Sequence, residues 1–345
     1  MKNKNKRLRI FDITRDGRGL SKTKTEKNGS LKRFFISYKD NFGKITSLNI
    51  FMVIGNFPLV FLIMTFAGIT KEAALIPAYD VFQNLAGFFI NSAPSAHSMT
   101  LFAHEGIQTV IFQPTTSTYI FYALSALTLL TFGCVNVGSA YILRNIAKGE
   151  PVFLWSDFWY AIKRNWKQAL PFGIIDVAIN GILIWNVYTM FSSGGDFFAN
   201  TLFWCNLVIL ILYFVMRYYI YVQMVTFELT VFKILKNSLI FALLGFKRNF
   251  VATLGVFLAI IIEIVCLFGA GGILLPFGIA LPFLILLSSL SYMKVFASYF
   301  KIKDVMIDPY LAEHPEEATD ETESIMTDDV TEAERLEEIK RRNQN

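Results

Sequence analysis

The chain has 345 residues, of which 54% are hydrophobic and 17% are charged, and its formal net charge is +5. A soluble globular domain carries about 25% charged residues, so this composition excludes an ordinary soluble protein. The net charge hides an asymmetry, because residues 1–303 hold 28 Lys and Arg against 13 Asp and Glu, whereas residues 304–345 hold 4 against 14.

The first element is a basic, polar segment, residues 1–33, that lacks the apolar core of a cleaved signal peptide. A membrane domain over 34–303 follows, whose apolar runs predict transmembrane helices near 47–69, 118–142, 169–190, 201–224, 250–268 and 273–292. Residues 304–345 form an acidic tail that we expect to be largely disordered, with a short helix over 327–342. The predicted fold is an all-α polytopic membrane protein with six transmembrane helices, surrounded by the lipid bilayer.

Lys and Arg alternate between the two sides of the six predicted spans. Residues 1–45 hold 14 of them, the 143–168 connection holds five and the 229–249 connection holds four, whereas residues 70–117 hold one. The positive-inside rule then places both termini in the cytoplasm, and five or seven spans would break the alternation. Cations beside spans favour anionic lipid rather than nucleic acid as their partner, so we predict no binding of nucleic acid.

The longest connection on the opposite side, 70–117, is the one outside region with enough surface to recognise a ligand. Within it, apolar residues at helical spacing over 76–89 predict an external helix. His97, His104 and Glu105 also lie here, but they lack the spacing of an HExxH zinc site. We therefore predict no metal site.

The connection KGEPVFLWSDFWYAIKRNWKQAL, residues 148–170, combines three tryptophans with four cations. Trp and Tyr prefer the headgroup level of a bilayer, and Lys and Arg there neutralise anionic lipids. From Trp155 to Leu170 the apolar side chains recur every three or four residues. This spacing predicts an amphipathic helix that lies in the interface and leads into the third span. Ser156 and Asp157 could cap its start.

A short pattern of Lys, a charged residue, Asn and an aromatic residue precedes three spans. It reads KDNF at 39–42, KRNW at 163–166 and KRNF at 247–250. The recurrence favours three two-helix hairpins, each introduced by an interfacial amphipathic helix. An alternative is that any helix entering a membrane from the cytoplasm favours these residue types.

Three ionisable residues fall inside predicted spans, where a charge is costly and indicates a functional site. Asp176 lies about seven residues into the third span, roughly 10 Å deep at 1.5 Å per residue. Arg217 lies at a similar depth in the fourth span, so the two could form an ion pair. Alternatively, Arg217 extends to the headgroups. Glu263 lies near mid-membrane in the fifth span, without a partner at matching depth.

Four charged residues surround the interfacial connection, namely Arg144, Glu150, Asp157 and Arg164. They could form salt bridges that fix the loop, or a docking surface for a partner such as a cytoplasmic ATPase. A loop held at the interface by ordinary contacts is the third interpretation.

The sequence contains none of the motifs GxxxxGK[ST], GxGxxG, GxSxG and HExxH. An ATP-driven role therefore requires a separate ATPase subunit. Cys134, Cys205 and Cys266 are expected to be small buried hydrophobic residues and not a disulfide or metal framework. We predict no cofactor and no enzymatic activity.

The segment NVGSAYILRNIAKGEPVFLWSDFWYAIKRNWKQAL, residues 136–170, resembles the YesL-like integral membrane proteins. The similarity lies in a span that ends in small residues and Tyr, a Lys-Gly-Glu-Pro turn, an Asp-Phe pair and a Lys-x-Asn-aromatic entry to the next span. The segments FDITRDGRGLSK (11–22) and YVQMVTFELTVFKILKNSLIFAL (221–243) are also similar, although the longer members more often have Pro-Gly where Asp16-Gly17 stands here. The resemblance covers roughly residues 11–300.

The resemblance implies a protein of the bacterial inner membrane whose genes lie beside carbohydrate ABC transporters and polysaccharide-degrading enzymes. It implies an accessory or permease-like role in carbohydrate uptake, with ABC-transporter permease or ATPase subunits as partners, and it carries over no catalytic residue. Two alternatives stay open, a non-transporting membrane scaffold or assembly factor and an intramembrane enzyme. A polar path through the spans would favour transport, whereas a solid bundle with an exposed groove would favour a scaffold.

Overall fold

The computed structural model describes residues 29–77, 95–105, 108–192, 197–269 and 272–313. Most of the basic segment 1–33, most of the predicted external helix and the predicted tail helix over 327–342 lie outside the described residues. The described chain is almost entirely helical, as predicted.

The helices of the first half are α1 (Leu31–Asp40), α2 (Phe42–Asn56), α3 (Pro58–Phe66), α4 (Ala96–Glu105), α5 (Thr116–Ser125) and α6 (Thr128–Lys148). Those of the second half are α7 (Leu154–Ser192), α8 (Phe197–Thr226), α9 (Val231–Leu244), α10 (Phe246–Phe268), α11 (Leu275–Leu281), α12 (Leu287–Ile302) and α13 (Asp308–Glu313). The π-helical turns Pro282–Leu286 and Lys303–Ile307 join the last three helices. Two strands, β1 (Lys71–Pro77) and β2 (Gln108–Pro114), lie between α3 and α5.

Within the described ranges, five helical stretches are long and apolar enough to cross a membrane, namely Thr116–Lys148, Leu154–Ser192, Phe197–Thr226, Phe246–Phe268 and Leu275–Glu313. A sixth is formed by α2 and α3 together, which are bent by 61° at their junction. Pro58 at the start of α3 explains the bend, because proline lacks the N–H of a regular helix and its ring clashes with the preceding turn. The prediction of an all-α polytopic membrane protein is confirmed, and each predicted span has a helical counterpart.

Glycines set the distance between the second and third spans. A Cβ atom on Gly133 of α6 would overlap the backbone of Ala169 and Gly173 of α7, and a Cβ on Gly173 would overlap Gly133. Small residues allow such close approach between membrane helices. The contact fixes the spacing of α6 and α7, which both contribute to the site described below.

Asn49 of α2 ties the first span to the last. Its Nδ2 donates to the carbonyl oxygens of Pro282 and Phe283, both at 2.8 Å, and its Oδ1 accepts from the backbone N–H of Ser288 at 2.9 Å. These groups lie at a π-helical turn, where the regular hydrogen-bond ladder is interrupted. Asn49 is fully buried, and it satisfies backbone groups that have no water to bind inside a membrane.

A helix precedes each odd-numbered span, in line with the recurring sequence pattern. These helices are α1, the first part of α7 and α9. α1 contacts the bundle itself, since Ser37 donates to the carbonyl oxygen of Ile146 at 3.2 Å and accepts from Tyr292 Oη at 2.8 Å. The first of the three helices is therefore part of the packed core and does not merely rest on lipid.

The predicted interfacial helix over 155–170 and the third span form one continuous helix, α7, although Pro171 lies inside it. Asp157 holds its first turn, because its Oδ2 accepts from the backbone N–H of Phe153 at 2.8 Å. Of the two residues expected to cap this start, the structure assigns the contact to Asp157.

The connection between α3 and α5 contains an antiparallel pair of strands, with Lys71 opposite Pro114 and Pro77 opposite Gln108. The prediction of an external helix is wrong at its first two residues, since Ile76 and Pro77 lie in β1, and residues 78–89 are outside the described ranges. At the base of the strands, Thr115 Oγ1 and Thr118 Oγ1 donate to the carbonyl oxygen of Thr70 at 2.6 and 2.7 Å. These contacts join residues that are far apart in the sequence, so the local spacing of apolar residues does not predict them.

The cation-rich connections meet at one end of the bundle. Arg248 Nη1 lies 2.8 Å from Asp304 Oδ2, and Arg164 Nη2 lies 3.5 Å from Glu228 Oε1. Their meeting agrees with the alternation expected of six spans. We call this end, which carries residues 143–168, 226–249 and 301–313, the cationic end. The first residues of the predicted acidic tail, 304–313, are helical here and extend the last span.

The outer surface of the bundle is apolar, as lipid contact requires. Cys205 is exposed on this surface, and Cys134 and Cys266 are half-buried. The prediction that all three cysteines are buried is wrong for Cys205, because an apolar residue in a span can face lipid as well as protein.

Candidate functional site

Asp176 of α7 lies at the centre of a buried polar cluster, and its side chain has 0% exposure. Oδ1 accepts hydrogen bonds from Tyr213 Oη at 2.8 Å and Asn180 Nδ2 at 2.7 Å, and Oδ2 accepts from Tyr221 Oη at 2.6 Å. Arg217 Nε lies 3.0 Å from Oδ1 and 3.1 Å from Oδ2. The carboxylate therefore has four donors, which offset the cost of a charge inside a membrane.

Helical spacing brings these donors together. Tyr213, Arg217 and Tyr221 recur every four residues along α8, and Asn180 follows Asp176 by one turn of α7. Of the two arrangements considered for Arg217, the structure has the ion pair and not an extension to the headgroups. The two tyrosines have no signal in the sequence beyond their spacing from Arg217.

Arg217 also lines a small cavity between α6, α8 and α12. The cavity has a volume of about 50 Å³, and its polar lining consists mainly of Asn136, Ser139, Arg217, Ser291 and Lys294. The guanidinium carbon of Arg217 lies 5.3 Å from the centre of the Phe132 ring. One water molecule needs at least about 10–15 Å³ of such space, so this cavity has room for water.

Lys294 of α12 is a second cation at this cavity. Its Nζ lies 5.9 Å from the centre of the Phe214 ring, and it makes no ion pair with the described residues. Sequence reasoning misses Lys294 as an intramembrane charge, because the sixth span is predicted to end at 292. The sequence does contain one indication that the span extends beyond Lys294, namely the apolar run VFASYF that follows it. In the structure, Lys294 lies within the helical stretch Leu275–Glu313.

Glu263 is separate from this cluster. It lies on the face of α10 that also buries Asn249, Ala252 and Val256, and it is 8% exposed. Neither of its carboxylate oxygens has a hydrogen-bond partner among the described residues, and Glu263 does not line the cavity beside Arg217. The structure therefore does not bring the three predicted intramembrane residues together, since it joins Asp176 to Arg217 alone.

The asparagines of the spans do not extend the Asp176 cluster into a longer polar path within the described residues. Asn136 lines the small cavity and Asn180 contacts Asp176. Asn206 instead donates to the carbonyl oxygen of Leu183 at 3.0 Å, and this contact joins α8 to α7 at another level. These three asparagines therefore do not line one continuous polar path through the described spans.

Arg144, the first residue of the predicted docking set, holds the end of α8. Its Nη1 donates to the carbonyl oxygen of Val225 at 2.7 Å and to Thr226 Oγ1 at 3.2 Å, and its Nη2 donates to Asn145 Oδ1 at 2.8 Å. The guanidinium carbon lies 4.8 Å from the centre of the Tyr141 ring. Arg144 therefore positions the end of α8 through contacts within the protein.

The other three residues of the predicted docking set have separate contacts. Glu150 pairs with Lys148, Asp157 holds the first turn of α7, and Arg164 pairs with Glu228. Among the described residues, no member of the set pairs with another, so the four do not form one salt-bridge network. Glu228 lies 64 residues after Arg164, which is why sequence proximity does not reveal this partner.

Arg164 lies at the rim of an open groove at the cationic end. The groove has a volume of about 370 Å³ and is lined by Arg164, Asn165, Lys167, Gln168 and residues 224–230. Gln168 Nε2 donates to the carbonyl oxygen of Leu229 at 3.0 Å, so α7 is fixed to the connection between α8 and α9. We call this surface the cationic groove. Of the predicted docking set, Arg164 alone lines it.

No group of three His, Cys, Asp or Glu side chains that could hold a metal ion occurs in the part of the chain that the structure describes. His97 is exposed on α4. The side chains of His104 and Glu105 lie outside the description.

Residues 114–187 match the model of a family described as protein of unknown function, DUF624. No curated protein and no solved structure matches the chain. The matched segment contains Ser139, Arg144, Arg164 and Asp176, so it spans parts of both the buried cluster and the cationic groove. The YesL-like proteins are in this family, so the resemblance to them is confirmed over residues 114–187.

Proposed function

We propose that this protein is a non-transporting accessory subunit of the bacterial cytoplasmic membrane, which docks a cytoplasmic subunit of a carbohydrate transporter on the cationic groove. The observation that carries the proposal is the contrast between the groove of about 370 Å³ and the cavity of about 50 Å³ within the spans. A site for a small molecule commonly has about 300–1,000 Å³. The predicted transport residues Asp176 and Arg217 therefore adjoin too little space for a sugar.

The charges of the groove favour an acidic partner segment. Arg164 and Lys167 contribute two positive charges, against one negative charge from Glu228. Complementary charges steer association and select partners. Two contacts fix the sides of the groove in the free protein: Gln168 binds Leu229, and Arg144 binds the end of α8. A groove that is already ordered loses less conformational entropy when a partner binds.

The partner class is supported by the family resemblance. Because YesL-like genes lie beside carbohydrate ABC transporters, we infer that the occupant is an acidic segment of an ATPase or permease subunit. The proposal assigns this protein no catalytic activity and no cofactor of its own. An assembly factor with the same groove is the alternative, and it would bind the partner during assembly only.

The proposal requires the cationic end to face the cytoplasm. The distribution of Lys and Arg supports this orientation for both termini. A fluorescent protein fused after residue 345 should fold and fluoresce, whereas alkaline phosphatase at the same position should be inactive. The opposite pattern would place the groove out of reach of a cytoplasmic subunit.

The direct test is purification of the tagged protein from its native membranes in mild detergent, with partners identified by mass spectrometry. The double variant Arg164→Glu/Lys167→Glu reverses the charge of the groove. Lys163→Glu is the matched control, because Lys163 lies on the same helix but lines a separate hollow with Trp155 and Trp159.

We expect transporter subunits to co-purify with the wild type and with Lys163→Glu, and to be reduced at least tenfold with the double variant. Recovery should also fall with rising salt, since exposed charges are screened. Equal recovery from all three proteins, or recovery of no transporter subunit with the wild type, would contradict the proposal.

A further inference from the structure

The cavity between α6, α8 and α12 holds more positive than negative charge. Arg217 and Lys294 both line it, and no acidic residue from the described part of the chain does so. Asp176 pairs with Arg217 and balances one of the two cations. A cation inside a membrane-spanning helix is costly when it has no counter-charge, so the second cation requires a compensating group.

Asp176 does not neutralise Lys294 as well, because its carboxylate oxygens already accept four hydrogen bonds. Its oxygens accept from Tyr213, Tyr221 and Asn180 as well as from Arg217 Nε. Because Arg217 binds the carboxylate through Nε, its Nη1 and Nη2 groups remain as donors beside the cavity. Lys294 contacts the face of the Phe214 ring and makes no hydrogen bond or ion pair with the described residues.

Ser139 gives an independent indication of an occupant. The residue is 2% exposed and lines the same cavity. Its Oγ has no hydrogen-bond partner among the described residues. Since buried hydroxyl groups are nearly always paired, an occupant that accepts hydrogen bonds would satisfy Ser139 together with the two cations.

We propose that this cavity binds one small monovalent anion, chloride or a carboxylate group, between Lys294 Nζ, the Nη groups of Arg217 and Ser139 Oγ. The volume of about 50 Å³ admits an occupant the size of chloride or formate and excludes a sugar ring. The site lies inside the bundle and not at the cationic groove, so it stands independently of the docking function.

The test measures how anions change the thermal stability of the full-length protein in lipid nanodiscs. Sodium isethionate, whose sulfonate is too bulky for the cavity, is replaced at constant ionic strength by sodium chloride or sodium formate. A ligand that binds the folded state raises the melting temperature in a saturable way, which gives an apparent Kd. We expect such saturation with at least one of the two anions.

Three variants locate the effect. Lys294→Met should raise the apparent Kd at least tenfold, and Ser139→Ala should raise it several-fold through the loss of one hydroxyl group. Lys301→Met is the matched control, because Lys301 lies on the same helix but does not line the cavity. It should keep the apparent Kd of the wild type.

A response to chloride alone identifies the ligand as an inorganic anion, and a stronger response to formate identifies it as a carboxylate group. Either result supports the site. Unchanged responses in folded Lys294→Met and Ser139→Ala would overturn the proposal, as would the lack of a saturable response to both anions. Water would then fill the cavity. If Lys294→Met does not fold, Lys294→Gln and Ser139→Ala decide between these outcomes.

Discussion

Replacing Asp176 by asparagine tests whether the buried cluster holds α7 against α8. Asparagine has nearly the same shape, but it is uncharged and one of its two terminal atoms is a donor. Its Nδ2 would face Oη of Tyr213 or of Tyr221, each of which now donates to the carboxylate. Arg217 would keep its charge and lose its counter-ion.

The expected cost of Asp176→Asn is about 3 kcal/mol in unfolding free energy. Removing one partner of a buried ion pair costs about 3–5 kcal/mol. Because Arg217 also lines the small cavity, which has room for water, part of its charge stays solvated and we expect the lower end of that range. The double variant Asp176→Asn/Arg217→Gln leaves no uncompensated charge in this pair and should recover part of the loss.

The assay is reversible unfolding of the purified protein in mixed micelles with increasing sodium dodecyl sulfate, followed by tryptophan fluorescence. The wild type, Asp176→Asn, Arg217→Gln and the double variant form a double-mutant cycle. Residues in contact show interaction energies of about 0.5–3 kcal/mol in such cycles, and we expect a value above about 1 kcal/mol here. A cost of Asp176→Asn below about 1 kcal/mol, with additive single effects, is typical of solvent-screened pairs and would refute the reasoning.

Three further substitutions test other contacts. Asn49→Leu removes the hydrogen bonds to the π-helical turn and should lower the unfolding free energy by about 2–3 kcal/mol in the same assay. Gly133→Val should cost at least about 2 kcal/mol because its side chain meets the α7 backbone, whereas Gly181→Ala, where a Cβ meets nothing within 4 Å, should be neutral. Arg144→Gln releases the carbonyl oxygen of Val225 and should speed amide hydrogen exchange over 226–230 at least tenfold, whereas Lys163→Gln should leave it unchanged.

The spans are predictable from the sequence because the bilayer sets their length and charge pattern. Each span carries its own apolar run, and the cations mark one side of the membrane. The bend between α2 and α3 lies inside the predicted span 47–69, where Pro58 is visible but the angle is not. The paired strands escape prediction because residues far apart in sequence form them.

The buried cluster is predictable in part. Asp176 and Arg217 stand out as charges in apolar runs, so their pairing can be considered from depth alone. Tyr213 and Tyr221 do not stand out, because tyrosine is common near membrane interfaces. Which faces of α7 and α8 meet depends on helix rotation, and this is a property of the packed bundle.

The cationic groove has the weakest sequence signal. Its α7 wall follows from the amphipathic pattern of 155–170, but its other wall, residues 224–230, lies far along the chain. Arg144 and Arg164 are equally plausible docking residues in sequence. The structure distinguishes them, since Arg144 turns to the end of α8 and Arg164 turns to the groove.

The most direct test of the docking function is photo-crosslinking in native membranes. A photoreactive benzoylphenylalanine replaces Asn165, which lines the groove and carries no charge, and in the matched control it replaces Ser156, which lines the separate hollow on the same helix. We predict that position 165 crosslinks to a subunit of a carbohydrate transporter and that position 156 does not. Crosslinks of equal yield from both positions, or no protein adduct from position 165, would contradict the docking function.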